Sequence, residues 1–128
     1  MNARLRTPLA RARGLGSAQS GAHHWWLQRF TAIVLLLTVP WFVWFAFAAA
    51  GAGQLEARLL LAQPWHATAM LLFVGALFWH AQLGLQVVIE DYVHTHWLEI
   101  TLQILVKLAC LAGFVASAVA IGRIAFGA

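Results

Sequence analysis

Three stretches of this chain are each long and apolar enough to cross a bilayer, and they constrain the fold more than any other feature. A spanning helix needs about 20 apolar residues at about 1.5 Å rise each. Residues 30–50 carry no charged side chain, and residues 66–89 carry none beyond what their histidines hold. Residues 98–126 carry Glu99 near the start, Lys107 inside and Arg123 near the end. The connections, 51–65 and 90–97, are short enough to force antiparallel neighbours. The expected fold is an all-α membrane protein: three antiparallel transmembrane helices, up, down, up. Residues 1–128 form a single domain in this reading, with 1–29 as an N-terminal segment. Hydrophobic residues make up 62% of the chain and charged ones 9%, where a soluble domain carries roughly 25% charged. Such a chain cannot clothe a water-facing surface, so a soluble enzyme is excluded. The net charge of +4 has no polar domain to sit on, which excludes a nucleic-acid binder. The lone Cys110 rules out an internal disulfide, a four-cysteine zinc site and a C-x-x-C-H haem attachment.

Arginines set the orientation. Arg4, Arg6, Arg11, Arg13 and Arg29 precede or begin the first span with no acid among them, while Glu56 and Arg58 cancel in the first connection. The positive-inside rule places the N-terminus and residues 90–97 in the cytoplasm. Trp25, Trp26, Trp65 and Trp97 fall where an aromatic belt would. Pro40 lies inside the first span, where a bilayer turns a break into a kink. Pro64 reads as the first turn of the second helix. Ala48-Ala49-Ala50 could mimic a signal-peptide cleavage site, but the apolar segment is too long and begins too late. An Arg-rich, acid-poor N-terminus also fits a mitochondrial transit peptide.

Polar groups inside a span are functional candidates. His80 lies fourteen residues after His66 and eleven before Asp91, which is about 16 Å from the cytoplasmic end. A neutral imidazole can ligate haem iron, and Gly84 one turn on would leave room for a flat macrocycle. A histidine hydrogen-bonded to another helix, or a proton relay, fits the same position. A haem would need a second ligand from elsewhere, because His66 is roughly 21 Å along the same helix. His66, beside Trp65, reads as a surface residue.

Asp91 and Tyr92 close the second helix, with Asp91 nearly above His80. A tyrosine hydroxyl can donate to a quinone carbonyl, and a neighbouring carboxylate can orient it. An isolated Asp-Tyr pair also suits a plain helix end. Arg29 could fork onto haem propionates or serve as one more positive-inside anchor. Ala109, Gly113 and Ser117, with Ala112, Ala116 and Ala120, read as a packing face. Lys107 can snorkel, and Cys110 is a small apolar filler. His94 and His96 read as loop-surface residues, with a part in a proton route as the alternative.

The run HAQLGLQVVIEDYV from His80 matches H-A-x-x-G-x-x-x-V-x-x-D-Y-V without a change of spacing. It resembles the haem and quinone signature of the D-type membrane anchor subunits of succinate dehydrogenase. The run RFTAIVL from Arg29 resembles the start of their first helix. RTPL from Arg6 and RGLGSA from Arg13 resemble the N-terminus of alphaproteobacterial members. The resemblance implies a respiratory complex II anchor in a bacterial inner membrane, with a mitochondrial inner membrane as the alternative. It implies that His80 is an axial ligand of haem b iron, a cytochrome b anchor subunit supplying the other and pairing with this chain in a helix bundle. Arg29 and His23 would lie near the haem propionates. Tyr92 would hydrogen-bond ubiquinone, with Asp91 in support. An iron-sulfur subunit and a flavoprotein subunit, where succinate is oxidised, would dock on the cytoplasmic face. A dihaem cytochrome b-type anchor of another dehydrogenase, or a haem-free small transporter subunit, is the alternative.

Overall fold

A computed structural model describes residues 19–127 of the chain. Arg4, Arg6, Arg11, Arg13 and the two N-terminal matches up to residue 18 lie outside the described residues. Four helices follow one another: α1 (Gln19–Gly51), α2 (Gln54–Ala62), α3 (Pro64–Tyr92) and α4 (His96–Ala125). Helices α1, α3 and α4 are each long and apolar enough to span a membrane, over Gly21–Gly51, Pro64–Tyr92 and His96–Ala125. The all-α, three-span reading therefore holds, and the protein is multi-pass.

The helices extend beyond the boundaries that hydropathy suggests. Residues 22–29 lack glycine and proline, so α1 propagates through them although they are polar or interfacial. At 33 residues and about 1.5 Å each, α1 is roughly 50 Å long, well beyond the ~30 Å of hydrocarbon. The first part of α1, holding His23 to Arg29, is thus helical as well, and Gln28 within it approaches α3 at Gly84. Helix α1 continues without interruption through Pro40.

The first connection is not a plain loop, as the sequence reading took it to be, but contains the nine-residue α2. It begins after Gly53 and ends at Gln63, whose N–H donates to the Leu60 carbonyl at 3.3 Å. Pro64 opens α3 in the first turn, where its missing N–H costs nothing. The second connection shrinks to residues 93–95. Helix α4 stops before Gly127, whose φ of 69° is the left-handed terminator that glycine adopts without strain.

Helix α3 is the centre of the arrangement. Both α1 and α4 pack along it, whereas among the described residues α1 and α4 do not touch each other. Helix α2 lies across one end and contacts all three. The buried apolar set is correspondingly small: Phe45 on α1, Ala67, Phe73, Ala76, Leu83 and Ile89 on α3, and Ile121 on α4. Phe42 stacks on Phe73 at 4.3 Å and 14°, an arrangement worth about 0.5–1.5 kcal/mol beyond burial. Gly113 on α4 faces the Phe78 ring so closely that an added Cβ would stand 2.6 Å from it. Of the small residues of α4, Gly113 receives this aromatic ring and Ser117 is half-buried, whereas Ala109, Ala112, Ala116 and Ala120 are exposed, so the expected packing face holds in part. The open arc of three helices leaves many large apolar side chains exposed.

Candidate functional site

The polar residues of α1 at 24, 28 and 31 recur at helical spacing and share one face. That face meets α3 where His80 sits. Thr31 is 3% exposed, and its Oγ1 lies 2.9 Å from His80 Nδ1. The same Oγ1 lies 2.9 Å from the Leu27 carbonyl and 3.1 Å from the Gln28 carbonyl. A hydroxyl has one proton. Aimed at His80, it would leave Oγ1 lone pairs opposing two carbonyl oxygens. Aimed at a carbonyl, it completes the usual back-bond of a helical threonine and Oγ1 accepts from His80 Nδ1–H. The network therefore assigns the Nδ1–H tautomer, and His80 Nε2 keeps its lone pair. No hydrogen bond engages Nε2 among the described residues. His80 is half-buried, so the ring is gripped from one side and partly open on the other.

Gly84, one turn beyond His80, approaches α1: a Cβ there would lie 3.9 Å from Gln28 Nε2. The space the glycine frees is shared by Gln28, which the sequence reading did not anticipate. Two polar atoms on this face, Gln28 Oε1 and His24 Nε2, are buried without a hydrogen-bond partner. Thr31, Gln28 and His24 received no role from the sequence. Their i, i+4, i+7 spacing along one face of α1 was the signal available.

The remaining expected site residues stand apart from this cluster. Arg29 is exposed, and its guanidinium carbon lies 5.0 Å from the Trp25 ring centroid. His23 is exposed on the same helix. Asp91 and Tyr92 end α3, both exposed, Tyr92 at 78%. The acid engaged there is Glu90, whose Oε1 accepts from Gln86 at 2.8 Å and from Gln103 on α4 at 3.4 Å. Gln103 also donates to Glu99 at 3.4 Å, tying the ends of α3 and α4 together. His94 is exposed in the connection, whereas His96, expected in the loop, is exposed at the first position of α4, 3.9 Å from Glu99.

His66 corrects the sequence reading. Expected at the surface, it is 2% exposed, the most enclosed large side chain described. Trp41, Trp44, Phe45 and Trp65 surround it with ring centroids 5.8, 5.8, 5.4 and 3.3 Å away. The folding of α1 against the start of α3 buries it, which residue spacing within one helix cannot show.

No group of three or more His, Cys, Asp or Glu that could hold a bare metal ion occurs among the described residues. An axial haem ligand is a different requirement. It needs one imidazole with its second nitrogen hydrogen-bonded and its first nitrogen free, and the Thr31–His80 pair has that form.

Residues 3–120 match the model of the succinate dehydrogenase/fumarate reductase transmembrane subunit family. The chain is 39% identical over 119 residues to the succinate dehydrogenase hydrophobic membrane anchor subunit of Rickettsia conorii, covering 91% of this chain and 94% of that one. It is 40% identical over 117 residues to the corresponding subunit of Rickettsia bellii, with the same coverage. The similarly named subunit of Paracoccus denitrificans is 33% identical over 86 residues, 67% of each chain. With the family match running over residues 3–120 and the two Rickettsia relatives covering 91% of the chain, the chain belongs to the succinate dehydrogenase/fumarate reductase transmembrane subunit family, among the hydrophobic membrane anchors of succinate dehydrogenase.

Proposed function

We propose that this anchor would hold a haem b through His80 Nε2 at mid-span and contribute Tyr92 and Asp91 to a ubiquinone-reduction site at the end of α3. The observation that carries the reading is the 2.9 Å contact between Thr31 and His80. It orients the imidazole and leaves the ligating nitrogen unprotonated, as a metal-bound histidine requires. Haem b, when bound, supplies a site that accepts and passes on single electrons.

This chain's residues have separate tasks in the proposal. His80 ligates, and Thr31 fixes its ring. Arg29 and His23, in the first part of α1, pair with haem propionates, the planar guanidinium matching a carboxylate. Tyr92 donates its O–H to a quinone carbonyl oxygen, and Asp91 orients that hydroxyl or passes a proton to it. The exposure of Tyr92 and Asp91 suits a pocket whose other walls come from partner subunits. A cytochrome b anchor subunit supplies the second haem ligand and closes the open arc of helices. The iron-sulfur and flavoprotein subunits dock at the Tyr92 end. That end is cytoplasmic by the arginine rule, with the protein in a bacterial inner membrane.

The test is His80→Ala in the assembled complex. The low-spin bis-histidine haem spectrum is expected to disappear or shift while the chain still inserts. An unchanged spectrum would remove His80 from the ligand set.

A further inference from the structure

At the end opposite Tyr92, we infer a binding site for the phosphate of an anionic phospholipid headgroup, held between Arg58 of α2 and Arg123 of α4. An open cavity of about 600 Å³ lies between these helices, with Arg58 and Arg123 both on its lining. Leu59, Ala62, Ala120 and Ile124 form its walls. Two arginines that line one cleft bring two positive charges to it, and an anion between them would relieve their repulsion. Among the described residues, neither arginine forms an ion pair with an acid. Glu56, the acid on α2, is two residues from Arg58 and does not line the cleft. Positions two apart on a helix do not face each other.

The surroundings favour a lipid over a free anion. Leu55 and Leu59 are 70% and 59% exposed, four residues apart on one face of α2, with Arg58 beside them. A short helix with an apolar flank and an adjoining cation suits the boundary between acyl chains and headgroups. The cleft thus offers forked donors to a phosphate diester and aliphatic wall to the glycerol and first methylenes. This site is independent of the haem and quinone assignments.

The complex containing this chain, stripped of lipid by detergent exchange, is titrated with phosphatidylglycerol and, separately, with phosphatidylcholine. Bound lipid is counted by native mass spectrometry. Selective retention of phosphatidylglycerol is expected, on the order of fivefold weaker for each arginine changed to glutamine. Arg58→Lys and Arg123→Lys should retain most of it. Equal binding in the Arg58→Gln/Arg123→Gln double variant would overturn the proposal. So would displacement by excess inorganic phosphate, which would make the cleft a free-anion site. Should the double variant fail to assemble, the two-lipid comparison on the unaltered complex still decides, and equal retention of both lipids overturns the proposal.

Discussion

Thr31 Oγ1 and His80 Nδ1 lie 2.9 Å apart across the contact between α1 and α3. Because Thr31 also faces the carbonyls of Leu27 and Gln28, its proton is committed to its own helix and its oxygen to His80. A backbone turn of one helix thereby dictates which nitrogen of a histidine on another carries hydrogen. Thr31→Val keeps shape and burial but removes the acceptor. Haem affinity of the assembled complex should fall on the order of ten- to a hundredfold, the usual cost of losing such an outer partner. Thr31→Ser should restore it. The pyridine haemochrome assay and the electron paramagnetic resonance of the ferric haem read this directly. Full occupancy with an unshifted signal in Thr31→Val would separate the hydrogen bond from ligation.

Tyr92→Phe removes one hydroxyl from a side chain that is 78% exposed in this chain alone, so the fold should not change. Succinate-driven quinone reduction should drop by about 10²-fold, the scale of losing one donor to a developing oxyanion. Succinate oxidation by an artificial acceptor should persist. Parallel loss of both rates would indicate failed assembly, and retention of both would remove Tyr92 from the quinone site.

His66 tests a different point. Enclosed by Trp41, Trp44, Phe45 and Trp65, it holds a buried Nδ1 without a partner. Replacing it with phenylalanine removes that uncompensated polar atom at little change in shape. Stability should stay level or rise by about 1 kcal/mol, with haem stoichiometry unchanged. A lost haem in His66→Phe would instead favour the dihaem arrangement.

Gly113→Val should separate α3 from α4. A Cβ at this position would stand 2.6 Å from the Phe78 ring, and forced overpacking costs typically about 1–3 kcal/mol. The melting temperature of the complex in detergent should fall. Pairing Gly113→Val with Phe78→Leu should recover part of the loss, since the smaller side chain makes room. Equal melting of the single variant and the unaltered complex would contradict the close contact.

The spans, the antiparallel topology and the short second connection were legible because hydropathy and length are local quantities. Each residue reports its own solvent preference, and 9% charged residues leave a chain little choice but lipid. His80 was legible for the same reason, being a costly group at mid-span. Helix α2 was not legible, since nine residues of mixed polarity are held helical by the three helices they touch. Nor was the helical start of α1, because hydropathy marks where lipid begins and not where backbone hydrogen bonding does.

Only the tertiary structure decided which polar atoms meet. That Thr31 turns toward His80, that Gln28 shares the space beside Gly84 and that His66 lies in an aromatic enclosure all depend on the rotation and register of α1 against α3. Those are set by many weak packing contacts, Phe42 on Phe73 and Phe45 beside His66 among them. No single residue encodes such a sum, whereas the solvent of each helix is written residue by residue along the chain.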